Sequence, residues 1–544
     1  MYRAEIDPFP ACPSPAKHQN NNVHIEKLCK VDEMKNGELR EFTVKEKAIV
    51  VVNDNGTFMA IGGICPHFSA PMSLGTYANG KLRCPYHGAC FDMKTGDIED
   101  YRASITKISD GFVYLLGDKS QFEGLKRIKH MYPPQALVQR APIVIVGGGP
   151  SAQICAEVMR QEGYRGGILM LSAEKYLPYD RVLLTKMQHA SPESICYRDA
   201  AFYRKNHIDI RLNSTVTTID SEDKKIKLEN GQTFDYSKLV LAVGGQPRKL
   251  AVAAHDLKGI HYIRQLDDNT RVKVKDKKVV VIGASFIGLE SAALWSKDAE
   301  SVTVICNDAV PLNRTMGPFI GNAVLKLFQR NNVEILTKCS VESVEGFKGV
   351  LSGVVLNTGR CLEADVIIAG IGIVPATEFL KNGCIALDKR GFIPVNESFE
   401  TNVADVYAMG DCCGFPLPYF AGHANPINIQ HYQMAQMHGQ TVGKVLAGQR
   451  VKMLTTPFFW SLFFDVPVRF AGYATDLSDY VLKGDVDSDH FNIYYFRNDR
   501  VVGVASFGAN NSQSVPFLVL FNQRKEITRS DVEENDTDTW NYLF

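Results

Sequence analysis

The sequence has no apolar run of the roughly 20 residues needed to span a bilayer, so no transmembrane segment is expected. It carries no surplus of either charge. Sixty basic and 60 acidic residues give a formal net charge of zero. Such a chain offers no electrostatic case for nucleic acid or an anionic membrane. A disulfide framework is also missing: the 13 cysteines are an odd number, scattered along a long chain. Most fall in apolar stretches (Cys155, Cys306) and read as small core residues. The vicinal pair Cys412-Cys413 could be redox-active, but adjacent cysteines bridge only with strain. The opening MYRAEIDPFPACPSPAKHQN has no apolar h-region and is not an acid-poor, Arg-rich helix. A cytoplasmic protein is therefore expected. His423, His431 and His438 stand seven or eight positions apart without a convincing acidic partner. That argues against a mononuclear iron site of two His and one carboxylate, as a terminal oxygenase needs.

What is present is more telling. Cys65-Pro66-His67 and Cys84-Pro85-Tyr86-His87 each offer one thiolate and one imidazole. Two Cys and two His can hold a [2Fe–2S] cluster in which His replaces Cys on one iron, the Rieske arrangement. A Cys2His2 zinc site uses the same ligand types, but zinc-finger spacing usually groups Cys with Cys and His with His. Here each half pairs a Cys with a His. Gly62-Gly63 leads into the first run and His87-Gly88-Ala89-Cys90-Phe91 includes and follows the end of the second. Gly-rich backbone can approach a cluster closely and aim N–H groups at its sulfurs. The metal ligands expected are Cys65, His67, Cys84 and His87.

The 544 residues allow about three to four domains. Residues 1–22 are Pro- and Asn-rich and read as disordered. Residues 23–118 contain β-like runs (AIVVVN, TFMAIGG, FVYLLG) with Asn55-Gly56 as a hairpin signal, and form the all-β domain around the two ligand loops. Residues 119–140, with Lys126, Arg127, Lys129 and Pro133-Pro134, read as a linker.

Two later segments resemble each other. Ile143–Ala152 and Val279–Gly288 are each an apolar strand, a Gly-rich turn and a helix start, followed by a further strand (ILMLS and VTVIC). Both are candidate βαβ dinucleotide units. Gly147 and Gly283 would make the tight turns, and Gly149 would admit a pyrophosphate. Ala152 and Gly288 would let helix pack on strand. Glu174, 27 residues after Gly147, is placed to accept from an adenosine ribose hydroxyl, unless it is a plain surface Glu. The second unit departs from the ideal. Ser285 stands at the central Gly position, where its Cβ would crowd a pyrophosphate, and Cys306 ends the strand where an acid normally selects NAD. Asn307, Asp308 and Arg314 lie nearby, so the choice between NADH and NADPH stays open, as does a non-binding second unit.

From about 141 to 535 the chain resembles flavin-dependent ferredoxin reductases with two dinucleotide domains. The resemblance runs through Leu177–Arg181, Leu184–Lys186, Leu241–Gly245, Gly370–Pro375, Val406–Asp411 and Pro457–Trp460. With the Rieske pattern ahead of it, the whole resembles the apoptosis-inducing factor 3 (apoptosis-inducing factor-like) family. The resemblance implies a multidomain fold: an all-β Rieske domain, two α/β Rossmann-like dinucleotide-binding domains and a C-terminal α+β domain. It divides the chain into FAD-binding residues 141–265 and 386–450, NAD(P)H-binding residues 266–385, and a C-terminal domain over 451–544. It implies that Glu174 and the first turn hold the ADP part of FAD, that Asp411 bonds its ribityl or pyrophosphate region, and that Glu290 faces the nicotinamide. Arg181 and Lys186 would lie beside the flavin, with solvated surface charge as the plain alternative. High-potential Rieske members carry an extra Cys in each loop; here Ala70 and Tyr86 stand there, which points to the lower end of the range of about −150 to +300 mV. Val182, Thr185, Val243 and Gln430-His431-Tyr432 depart from the reductase pattern, and the last loses an acid near the flavin.

The function implied is an NAD(P)H-dependent flavoprotein oxidoreductase passing electrons through FAD to the fused cluster and on to an unknown acceptor. The absence of Cys-x-x-Cys or Cys-x4-Cys near the first turn argues against a disulfide reductase. The family name brings the alternatives of a redox-sensing pro-apoptotic signalling protein with little turnover and of a mitochondrial location. A homodimer stays open, because the C-terminal domain of such reductases often joins subunits.

Overall fold

The computed structural model describes residues 23–65, 70–86, 88–94, 103–109, 112–118, 130–134, 141–251, 257–453, 456–508, 512–535 and 540. The N-terminal segment 1–22, most of the expected linker, and the ligands expected at His67 and His87 lie outside these residues. The chain folds as two compact units that part near residue 128. Among the described residues no helix is long and apolar enough to cross a membrane.

The first unit is all-β. Its main sheet has six strands, in which Val23–Lys30 pairs with Phe112–Asp118 and Lys47–Asp54 with Thr57–Gly62. The expected hairpin at Asn55-Gly56 is present, with φ of 49° and 85°. Such a turn needs two positive φ values, which Asn-Gly supplies at least cost. A smaller sheet of Thr76–Ala78, Lys81–Arg83 and Cys90–Asp92 carries the second ligand loop.

The described residues of the second unit include two parallel five-stranded sheets that share the order of four strands and differ in the fifth, an edge strand that comes last in the chain in one and first in the other. In one, Ile143–Val146 lies between Ile168–Leu171 and Lys238–Leu241, with Ile208–Arg211 and Val406–Ala408 at the edges. In the other, Lys278–Ile282 lies between Ser301–Ile305 and Val366–Ala369, with Val333–Leu336 and Ile260–His261 outermost. Residues such as Ile143–Val146 are buried throughout, as a parallel sheet covered on both faces requires. The edge strand Ile260–His261 lies just before the domain boundary expected after residue 265. It pairs with Ile367 and Ile368 and so belongs to the second sheet. A strand of two residues is too short to leave a periodic signal.

Beyond residue 456 an antiparallel sheet of five strands, Phe458–Phe463 through Arg500–Phe507, packs with the helices Ser514–Asn522 and Arg529–Glu534. This is the expected C-terminal α+β domain.

Candidate cofactor sites

In the first unit the two cysteine loops are closed in the same way. Cys65 N–H donates to Ala70 O at 2.8 Å, and Cys84 N–H to Ala89 O at 2.8 Å, each bond spanning five positions. Both thiols are buried and neither is in a disulfide. Gly63 is required beside the first loop, where a Cβ would come within 2.7 Å of the Ala48 backbone. Two equivalent loops that each bury one thiol suit a cluster with paired ligands, and Cys90, half-buried, is likewise unbridged.

In the second unit a cavity of about 1210 Å³ runs from the first Gly-rich turn to Trp460. Single small-molecule sites are usually about 300–1,000 Å³, so this one has room for a dinucleotide. Gly147, with φ 130°, is pressed against the next strand: a Cβ would meet Ala242 O at 2.2 Å. Gly149 differs. A Cβ there would meet nothing within 4 Å and would fill the cavity wall. Pro150 then opens the helix Pro150–Gln161, whose N-terminus faces the cavity. Ala152 is fully buried under that helix. The helix Tyr432–Leu446 packs against it through Gly439 and Gly443, where a Cβ would come within 2.4 Å of Ser151 O and 2.9 Å of Cys155 O.

Charged groups form two clusters along the cavity. At the end of the cavity nearest the first Gly-rich turn, the proposed nucleotide end, the Glu174 carboxylate accepts from the Arg181 guanidinium and, at 2.7 Å, from the Tyr179 hydroxyl. Arg181 also donates to Arg264 O at 2.8 Å. Burial opposes the Arg181 charge, but Tyr179 and Glu174 outweigh it and hold its pKa above the ordinary value. Arg264 lies 3.6 Å from Asp411 and lines the cavity with it; burial, then the like charge of Arg181, lowers its pKa. Asn428 Nδ2 donates to Asp411 O and Cys413 O, fixing that turn. Gly410 N–H donates to Nδ1 of the buried His438 at 3.1 Å.

At the other end, Lys186 Nζ donates to Glu290 Oε1 at 2.8 Å and lies 5.3 Å from the Trp460 ring centroid. Glu290 also accepts from Thr185 Oγ1 and Ser461 Oγ, both at 2.5 Å. The Thr185 departure from the reductase pattern therefore keeps the hydroxyl that matters. His431 lines the cavity, and burial lowers its pKa to about 4. Arg181 and Lys186, both expected beside the flavin, belong to separate clusters along the cavity, Arg181 with Glu174 and Lys186 with Glu290.

At the second turn Gly283, with φ 103°, lies against Gly370, and a Cβ on Gly288 would meet Gly283 O at 1.9 Å. Gly283 has the positive φ of a tight turn, and Gly288 lies too close to Gly283 O to carry a side chain. Ser285 caps the helix Phe286–Trp295: its hydroxyl accepts from Gly288 N–H at 3.5 Å and donates to Gly370 O at 2.7 Å. Phe286, Ile287 and Glu290 of that helix reach the cavity, whereas Gly283 and Gly288 do not line it. The Cys412 and Cys413 thiols are buried, the first with its pKa raised to about 11 by burial, and they donate to backbone carbonyls without a disulfide. Arg264, His438 and Ser461 were missed from sequence because none stands in a motif.

The comparisons with known proteins agree with this geometry. Residues 24–108 match the Rieske [2Fe–2S] domain, 141–439 the pyridine nucleotide-disulphide oxidoreductase family and 458–543 the reductase C-terminal domain. The chain is 31% identical to a ferredoxin–NAD(P)+ reductase of Sphingomonas sp. over 66% of its length and 88% of that protein. It resembles the crystal structure of the covalent putidaredoxin reductase–putidaredoxin complex with a TM-score of 0.70 at 26% identity, covering 74% of this chain and 98% of that one. Fold and site define an NAD(P)H-dependent flavoprotein oxidoreductase with a Rieske centre. Over 518 residues, 93% of this chain and 85% of the relative, it is 36% identical to apoptosis-inducing factor 3 of Homo sapiens. The chain belongs to the apoptosis-inducing factor 3 family.

Proposed function

We propose that NAD(P)H binds the second dinucleotide unit, and that its electrons pass by way of FAD in the first dinucleotide unit to the tethered Rieske cluster and then to a separate acceptor. The observation that carries this reading is the single cavity that joins the first Gly-rich turn to the helix of the second. The residues present fit FAD: Gly149 leaves a cradle that a Cβ would fill, and cations and acids flank the nucleotide end. FAD, when bound, supplies the step from two-electron to one-electron chemistry.

The chain's own groups have the supporting roles. The helix start at Pro150 and Arg264 would face the pyrophosphate, and Glu174, oriented by Arg181 and Tyr179, would accept from the ribose. Asp411 holds the ribityl side. Lys186 stabilises negative charge at the ring end, and Glu290 keeps it in place. Cys65, His67, Cys84 and His87 would hold the cluster, and the covalent linker would raise its effective concentration at the flavin. The rival reading, a redox sensor with little turnover, loses support at Ser285, whose hydroxyl makes a helix cap. We place the protein in the cytoplasm, with the mitochondrion as the alternative that cell fractionation separates.

Anaerobic titration of holoprotein with NADH and then NADPH, followed by visible absorption and EPR, tests the reading. Flavin bleaching followed by the signal of a reduced Rieske cluster is expected. Intact cofactors that neither nucleotide reduces would favour the sensor.

A further inference from the structure

The two dinucleotide units repeat each other well beyond their glycine turns. In the first, Gly147 N–H donates to Leu171 O (2.8 Å), Ser172 N–H to Arg211 O (2.9 Å), Asn213 N–H to Glu174 O (3.1 Å) and Ser214 N–H to Ser172 O (2.7 Å). In the second, Gly283 N–H donates to Ile305 O (2.9 Å), Cys306 N–H to Leu336 O (2.8 Å), Lys338 N–H to Asp308 O (3.0 Å) and Cys339 N–H to Cys306 O (3.0 Å). Asn213 and Lys338 share a left-handed backbone, with φ of 51° and 56°. The segments 171–174 and 305–308 are therefore the same loop, bond for bond. The residue in the place of Glu174 is Asp308, not Cys306.

The side chains repeat as well. Glu174 is paired with Arg181, seven positions on. Asp308 is paired with Arg314, six positions on, whose Nε and Nη2 donate to Oδ1 at 3.2 and 3.0 Å. Oδ2 of Asp308 has no partner among the described residues, and the carboxylate side chain is 27% exposed. Cys306 is unsuited to meeting a ligand. Its side chain is buried and its thiol is turned back onto Asp308 O.

We propose that Asp308 is the residue that selects the adenosine ribose in the second unit, and that it makes NADH the preferred donor over NADPH. This rests on the reading of the second unit as the NAD(P)H domain. FAD and NADH carry the same ADP half, so one loop geometry with one acid–arginine pair suits both. A carboxylate accepts from ribose hydroxyls, whereas the phosphate of NADPH replaces a donor with a second anion. Arg314 would invite that phosphate if unpaired, but its charge already faces Asp308.

The test is steady-state kinetics of the FAD-loaded full chain with each nucleotide and ferricyanide as acceptor. The wild type is expected to use NADH with a kcat/KM at least tenfold above that for NADPH. Asp308→Asn is expected to lower kcat/KM for NADH roughly tenfold to a hundredfold, through KM with kcat kept, and to narrow the preference. Asp308→Glu should preserve the preference, and Cys306→Ser should leave it unchanged. Flavin content and thermal melting of each variant show whether it has folded. A preference for NADPH in the wild type, or an unchanged ratio in Asp308→Asn, would overturn the assignment while leaving the domain reading intact. Failure of both nucleotides to reduce a flavin that dithionite does reduce would overturn the two together.

Discussion

Glu290 and Lys186, 104 positions apart, form a buried ion pair with Nζ 2.8 Å from Oε1. The pair joins the first dinucleotide unit to the helix of the second, and Thr185 and Ser461 complete the shell around the carboxylate. Glu290→Gln keeps these hydroxyl contacts but leaves the Lys186 charge buried without its partner. A cost of about 3–5 kcal/mol in stability is expected, since breaking such a pair strands the other charge. Flavin content should persist, because the nucleotide-end cluster is untouched. Stopped-flow reduction by NADH should slow at least tenfold. Urea unfolding and stopped-flow absorbance check the two effects separately.

Gly149 and Gly147 should fail in opposite ways. Gly149→Val meets open space in the protein but fills the cradle, so the apoprotein should fold with near-normal stability and purify without flavin. Gly147→Ala drives a Cβ into Ala242 O and holds alanine at φ 130°, so the fold itself should weaken. The flavin-to-protein ratio and a circular dichroism melt of the apo forms tell them apart.

His431 and His438 make stability depend on pH. Burial lowers their pKa values to about 4 and about 3, so both are neutral in the fold. An unfolded histidine binds a proton near pH 6.5. Their contribution is complete above that pH and is lost as pH falls toward 4. The slope is about 1.4 kcal/mol per pH unit for each histidine. Urea midpoints at pH 7.5, 6 and 5 should fall in order, and His438→Asn, which offers an acceptor near Nδ1 for Gly410 N–H, should reduce the slope. An unchanged slope in that variant would sink the assignment.

Cys65→Ser and Cys84→Ser should each abolish the Rieske EPR signal while leaving NADH reduction of the flavin within a factor of about two, the second unit having its own core. Loss of flavin reduction in either variant would show that the two activities are not separable.

Much of this was legible in the sequence, where chemistry demands a residue type at a fixed spacing. Gly147 and Gly283 are such cases, because their positive φ and close backbone neighbours suit only glycine, and the matching loops of Cys65 and Cys84 are others. Asn55-Gly56 marked its hairpin for the same reason. Arg264 and His438 left no signal, since each owes its importance to partners more than 25 positions away. Asp308 was passed over for a different reason. The apolar run VTVIC ends at Cys306, whereas hydrogen-bond register sets the equivalence, and register emerges only when strands pair. Arg181 and Lys186 stand five positions apart, yet the turn between them sends them to different partners.

The glycine seam between Pro150–Gln161 and Tyr432–Leu446 bears on how variants of this chain would present. A larger residue at Gly439 would push on Ser151 at the helix start that faces the cavity, the proposed nucleotide end, and so weaken the holoprotein through ligand affinity before it unfolds the core. Ligand that binds only the folded form restores stability by mass action. Substitutions along this seam would therefore respond to vitamin supply: riboflavin in the growth medium would recover protein abundance, whereas a strand-core substitution of equal size, at Val144 or Leu239, would not.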